Sequence, residues 1–111
     1  MKNKRIWIIS AVCIVAMNAA WADEGETIFK SQGCMSCHKK ESTSKVNPSL
    51  KEISQAYQGQ EEKLIKYFQG ESDAIVRPEK VNLMRRHIEK TKNLSDTDRK
   101  SLADYILSQQ Q

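Results

Sequence analysis

Apolar residues recur with helical spacing in four segments, capping residues and glycines bound those segments, and no stretch alternates apolar and polar residues as a strand does. Together these observations predict a small all-α domain. The first helix is expected from about Glu24 to Gln32, with Ile28 and Phe29 apolar and Gly33 as its stop; Asp23 and Glu26 have the spacing of a capping box. The second opens at Ser49, boxed with Glu52, and turns Leu50, Ile53, Ala56 and Tyr57 inward before Gly59. A third, from Gln60 to Gln69, buries Leu64, Ile65 and Phe68 and stops at Gly70. The last starts at Ser95, boxed with Asp98, and carries Leu102, Ala103, Tyr105, Ile106 and Leu107. Residues 70–83 lack helical period and contain Pro78, which predicts an ordered loop leading to Met84.

The N-terminus belongs to a different class of segment. Lys2, Lys4 and Arg5 precede an apolar run from Ile6 to Ala20, and Ala20-Trp21-Ala22 supplies a small-residue cleavage site. That pattern is a secretory signal over 1–22 ahead of a domain over 23–111, and the run is too short to span a membrane comfortably. An uncleaved anchor is the alternative; either way the domain is exported, which predicts a periplasmic location. Cys13 leaves with the signal. The formal charge of +4 shrinks too: without the three basic residues of the signal, 15 Lys and Arg face 14 Asp and Glu. A net of +1 gives no electrostatic footprint for nucleic acid. Six basic residues nevertheless fall between Arg77 and Lys92 against two acidic ones, a local +4 around Met84.

Cys34-Met35-Ser36-Cys37-His38 is the motif that carries chemistry. A C-x-x-C-H run is the attachment signature of a c-type haem: two thiols on one turn of chain can add to two vinyl groups, and the next histidine falls where its imidazole can bind the iron. Three other readings compete. A thioredoxin-like pair wants a βαβ setting, a structural zinc site wants a second Cys/His pair where only His87 remains, and a plain disulfide leaves His38 unexplained. A haem also answers a problem of size. The 89 residues after the signal hold no cysteine beyond Cys34 and Cys37, and a domain this small leans on disulfides, metals or cofactors for its core.

From these residues the chain resembles the class I monohaem cytochromes c of the small bacterial type, over essentially all of 23–109. In that family a glycine and an aromatic on the first helix pack across an aromatic of the last, places that Gly25, Phe29 and Tyr105 fit. The family's Gly-Pro-x-Leu turn corresponds to Asn47-Pro48-Ser49-Leu50, with Asn, the next-best residue for a left-handed backbone, replacing Gly. The resemblance implies a bundle of about four helices wrapped around one covalently attached haem c. It implies Cys34 and Cys37 as attachment points, His38 as an axial iron ligand, and the Pro48 carbonyl as the acceptor that orients His38. It also implies a methionine as sixth ligand. Met1 and Met17 lie in the signal and Met35 between the attachment cysteines, so the matching position is Met84, with His87 the rival.

His/Met ligation fills both axial positions, raises the reduction potential and suits reversible one-electron transfer rather than catalysis. The resemblance therefore implies an electron carrier that is not an enzyme, monomeric, not inserted in the membrane after signal cleavage, and serving membrane cytochrome complexes or terminal oxidases. Lys80, Arg85, Arg86 and Lys90 are expected to steer it onto acidic partners. Other classes stay open at this point. They are a haem subunit dedicated to one enzyme, a gas-binding or sensing haem protein with an open distal side, and a haem-free thiol redox protein; a peroxidase of this build would carry two haem motifs.

Overall fold

The computed structural model describes residues 24–42 and 44–109, with the side chains of Lys80 and Val81 excepted. The signal segment and the Asp23 cap lie outside the described residues. Among the described residues there are five α-helices and no strand: α1 over 24–31, α2 Leu50–Ala56, α3 Glu61–Phe68, α4 Val81–Lys92 and α5 Asp96–Leu107. Short 3-10 turns, Cys34–Ser36 and Pro78–Lys80, follow α1 and precede α4. No helix among these residues is long and apolar enough to cross a membrane.

The ends of the helices follow from local chemistry. Ser49 caps α2 by accepting the Glu52 N–H at 3.0 Å, and Ser95 caps α5 by accepting the Asp98 N–H at 3.1 Å. Glu52 does not close its box, because its carboxylate is held by Arg77. At the end of α3 the chain takes a Schellman turn: Gly70 N–H donates to Tyr67 O at 3.0 Å and Glu71 N–H to Lys66 O at 2.9 Å. That turn needs the left-handed φ of 76° at Gly70, a conformation glycine adopts without steric cost.

Helix α5 is the axis of packing. Leu102, Ala103, Tyr105 and Ile106 are buried, and α1, α2 and α3 all close upon them. Phe29 meets Tyr105 with ring centroids 5.5 Å apart and planes at 51°, so the pair expected from the family resemblance forms. Gly25 permits that crossing: a Cβ there would stand 2.0 Å from Ser101 O and 2.7 Å from Tyr105 Cβ. Ser54, fully buried on α2, donates to the Leu107 carbonyl at 2.9 Å and ties the C-terminal end of α5.

The structure departs from expectation at α4. Val81–Lys92 is helical, so Met84 rides on the first turn of a helix rather than on a loop. Pro78 lies in the 3-10 turn ahead of that helix, where its fixed φ and missing N–H do no harm. Two buried polar contacts fix the C-terminal half of α4. Thr91 Oγ1 donates to Phe68 O at 2.7 Å, and Arg99, only 7% exposed, aims Nη1 at the carbonyls of Thr91 (3.3 Å), Lys92 (3.0 Å) and Leu94.

On the outer face, Lys100 bridges Glu61 at 2.9 Å and Asp104 at 3.4 Å, joining α3 to α5. Burial and the neighbouring Glu61 carboxyl push Asp104 up to about 6, while a hydrogen bond from Asp104 holds Glu61 below its ordinary value. Folded Asp104 thus keeps its proton above the unfolded value of 3.8, and stability is lost as pH rises from about 4 to about 6. The Glu61 shift has the opposite sign and acts below its ordinary 4.5. Denaturant unfolding across a pH series is expected to show this loss in the wild type and not in Asp104→Asn; a pH-independent difference between the two would contradict it.

Candidate haem site

The turn after α1 explains the motif's spacing. Cys37 N–H donates to Cys34 O at 3.2 Å and His38 N–H to the same carbonyl at 2.9 Å, a single helical turn. Positions i, i+3 and i+4 of such a turn share a face, and Cys34, Cys37 and His38 all line one cavity. That cavity holds about 1030 Å³, its open mouth included, and its walls are apolar side chains from α1, α2, α3 and α5, among them Phe29, Ile53, Leu64 and Leu102. Met84 and His87 line it from α4. The structure therefore brings the predicted attachment cysteines, His38, Pro48 and Met84 to one place, together with His87.

His38 is buried, and its Nδ1 lies 2.8 Å from the Pro48 carbonyl. A carbonyl only accepts, so Nδ1 carries the proton and Nε2 keeps its lone pair for a metal. The segment that supplies Pro48 is held from several sides. Leu50 N–H donates to Lys39 O at 2.8 Å, and Ser44 Oγ accepts from Val46 and Asn47 N–H at 3.2 and 3.1 Å. The left-handed backbone expected at Asn47 is absent: Arg77, with φ of 48°, is the one described non-glycine residue of positive φ. The Ser44 turn shapes this stretch instead.

Arg77 counts in the basic run but has a separate, structural place. Its guanidinium grips Glu52 with two bonds, at 3.2 and 2.9 Å, and donates to Ser44 O at 2.7 Å, so it clamps the loop before Pro48 onto α2. The other basic residues are exposed at Arg85, Arg86 and Lys90, while the Lys80 side chain lies outside the described residues. Lys90 is the one whose charge reaches Cys34. Arg85 borders a separate groove with Asp73 and Glu89. Two of the exposed large apolar side chains, Val46 and Leu83, line the cavity.

Cys34 lacks the setting of a reactive thiol. Cys34 and Cys37 are both unpaired, and burial raises the Cys34 thiol above its ordinary value despite the opposing charge of Lys90. A reactive redox cysteine needs the reverse, a lowered pKa that favours thiolate. The cavity instead carries polar atoms in want of partners. His87 Nδ1 and the Tyr57 hydroxyl are buried without a hydrogen bond, which costs about 1–3 kcal/mol for each such atom. The Ile75 backbone opposes the upward shift of Tyr57 without reaching hydrogen-bond geometry. Burial pushes Tyr67 up to about 12, so both cavity tyrosines stay neutral. A haem brings a metal, carboxylates and a large apolar face, and this donor set and these walls fit it. Among the described residues no cluster of three or more His, Cys, Asp and Glu could hold a bare metal ion.

Comparison with known proteins agrees. The cytochrome c family model matches residues 22–110. Cytochrome c-551 of Pseudomonas aeruginosa is 28% identical over 113 residues, covering 98% of this chain and 99% of that protein. Cytochrome c-551 of Stutzerimonas stutzeri is 40% identical over 53 residues, 48% of this chain and 50% of the relative. The chain belongs to the cytochrome c family, as a class I monohaem member, and with that membership comes a covalently bound haem c and its iron.

Proposed function

We propose that the chain is an exported, periplasmic one-electron carrier in which Cys34 and Cys37 attach the haem, His38 and Met84 bind the iron, and Pro48 orients His38. Electron transfer on a c-type haem is what the family implies. The finer reading rests mainly on one observation: Cys34, Cys37, His38 and Met84 share one apolar cavity in which His38 has Nδ1 committed to Pro48. The bound haem supplies the ferric/ferrous couple. The chain's own residues then hold the imidazole in one tautomer, bring a thioether that favours the ferrous state, and exclude water with the walls around them. With both axial positions filled, the reduced protein is expected not to bind carbon monoxide at neutral pH; ready binding would contradict the carrier reading and favour a gas-binding one.

The redox partners are read as acidic proteins that dock at the exposed haem edge, including membrane cytochrome complexes or terminal oxidases. Lys90, whose charge reaches Cys34, with Arg86 one turn away on the same helix, supplies the positive charge, and Val46 and Leu83 supply apolar contact. Reversing both charges, Arg86→Glu with Lys90→Glu, should slow reaction with an acidic partner about tenfold or more at low ionic strength. The gap should close as salt rises past roughly 0.15 M. A rate indifferent to ionic strength would count against steering.

A further inference from the structure

Helix α4 offers the cavity two iron donors. Met84, His87, Ile88 and Thr91 recur at intervals of three, one and three residues, which places them on one face. Ile88 and Thr91 are buried against the core, and Met84 and His87 both line the cavity. The His87 Nδ1 is buried and has no hydrogen-bond partner among the described residues. Buried imidazole nitrogens are normally paired with protein or water, so the His87 ring, which lines the cavity and makes no hydrogen bond at Nδ1, is not held by the protein and is open to a ligand.

The two donors are not held alike. The C-terminal half of α4 is pinned through Thr91 to Phe68 and through Arg99 to three carbonyls. The first turn, which carries Met84, follows the 3-10 turn Pro78–Lys80. Met84 thus stands on the first turn of the helix, and His87 one turn nearer the end that Thr91 and Arg99 pin.

We propose that His87 is a reserve axial donor, which takes the iron when Met84 leaves it. The inference rests on the reading of Met84 as the native sixth ligand. In the exchange one iron–sulfur bond would break and one iron–nitrogen bond form; neutral imidazole would give the lone pair of one nitrogen and keep its proton on the other, an imidazolium would first lose one proton to solvent, and no electron is transferred. His87 would keep the distal side closed to small gases when the thioether is displaced, and would leave the protein at a lower reduction potential, since two imidazoles favour ferric iron.

The test uses holo-protein matured in cells, with Met84→Leu, His87→Ala and the double variant compared with wild type by optical and paramagnetic-resonance spectra. Leu keeps nearly the volume of Met, which preserves packing. Met84→Leu is expected to be low-spin without the far-red sulfur–iron band, with a reduction potential below wild type. Its ferrous form should bind carbon monoxide at least tenfold more weakly than the double variant, which should be high-spin. A Met84→Leu protein that is high-spin and binds the gas like the double variant overturns the proposal, as does a double variant that stays low-spin. The wild type separates the two readings. If it lacks the sulfur band and His87→Ala alone turns high-spin, then His87 is the native ligand, and both the Met84 assignment and the reserve role fall. Should Met84→Leu fail to accumulate, partial unfolding of wild type in guanidinium serves instead. A low-spin form without the sulfur band, lost in His87→Ala, supports the exchange, and the same form in both proteins overturns it.

Discussion

Gly25→Ala is expected to lower the unfolding free energy of the holo-protein by about 3 kcal/mol, the upper end of what overpacking costs. The added methyl would lie 2.0 Å from the backbone oxygen of Ser101 and 2.7 Å from Tyr105 Cβ. A clash with backbone cannot be relieved by a rotamer change, so α1 and α5 must move apart. Separation opens the Phe29–Tyr105 contact and loosens the wall of the haem cavity that Phe29 provides. Against a total stability of about 5–15 kcal/mol, such a loss is large. Denaturant midpoints of wild type and variant measure it. A midpoint shifted by less than the error of the method would contradict a crossing in which α1 and α5 meet backbone to backbone at Gly25.

Replacing both proposed attachment cysteines, Cys34→Ser with Cys37→Ser, is expected to have a still larger effect: no haem retained through a denaturing gel, and no cooperative fold. The reason is in the walls. Phe29, Leu64, Phe68, Leu102 and Ile106 line a cavity of about 1030 Å³, its open mouth included, and without an occupant each lacks packing partners on that side. Interiors are stable only when close-packed, and an unfilled space of this size in so small a domain forfeits contacts that a total stability of about 5–15 kcal/mol cannot spare. No disulfide among the described residues compensates. Far-UV circular dichroism with thermal melting is the measurement. A haem-free variant that melts cooperatively with full helicity would show that the fold does not depend on the group, and haem still bound covalently would displace the attachment assignment.

How much of this was legible in the residues depended on the range of the interaction involved. Helices α1, α2, α3 and α5 could be read because caps, glycine stops and apolar stripes are local, and Ser49 and Ser95 cap as their spacing suggests. Cys34, Cys37 and His38 were equally plain, since a single turn sets their relation. Helix α4 was missed because its inward face is thin in apolar residues: Met84, His87 and Thr91 share it with Ile88, and Pro78 just upstream reads as a breaker. Its burial depends on Thr91 and Arg99 bonding to chain 23 and 8 residues away, which no periodicity reveals. The clamp made by Arg77 was hidden for the same reason, its partners Glu52 and Ser44 lying 25 and 33 residues distant. Asn47 stood where a left-handed residue was expected, and the Ser44 hydroxyl solved the turn differently. The Lys90 charge near Cys34 could be suspected from composition, but only the packing of α4 places it there.

The central claim, a covalent haem with His38 and Met84 on its iron, meets its most direct test in the optical spectrum of the exported protein, oxidised and then reduced. The account predicts haem bands that persist after denaturation, together with the weak far-red band of a sulfur–ferric-iron bond that disappears in Met84→Leu. A colourless protein from cells competent in cytochrome c maturation, with both Cys34 and Cys37 titrating as free thiols, would contradict it.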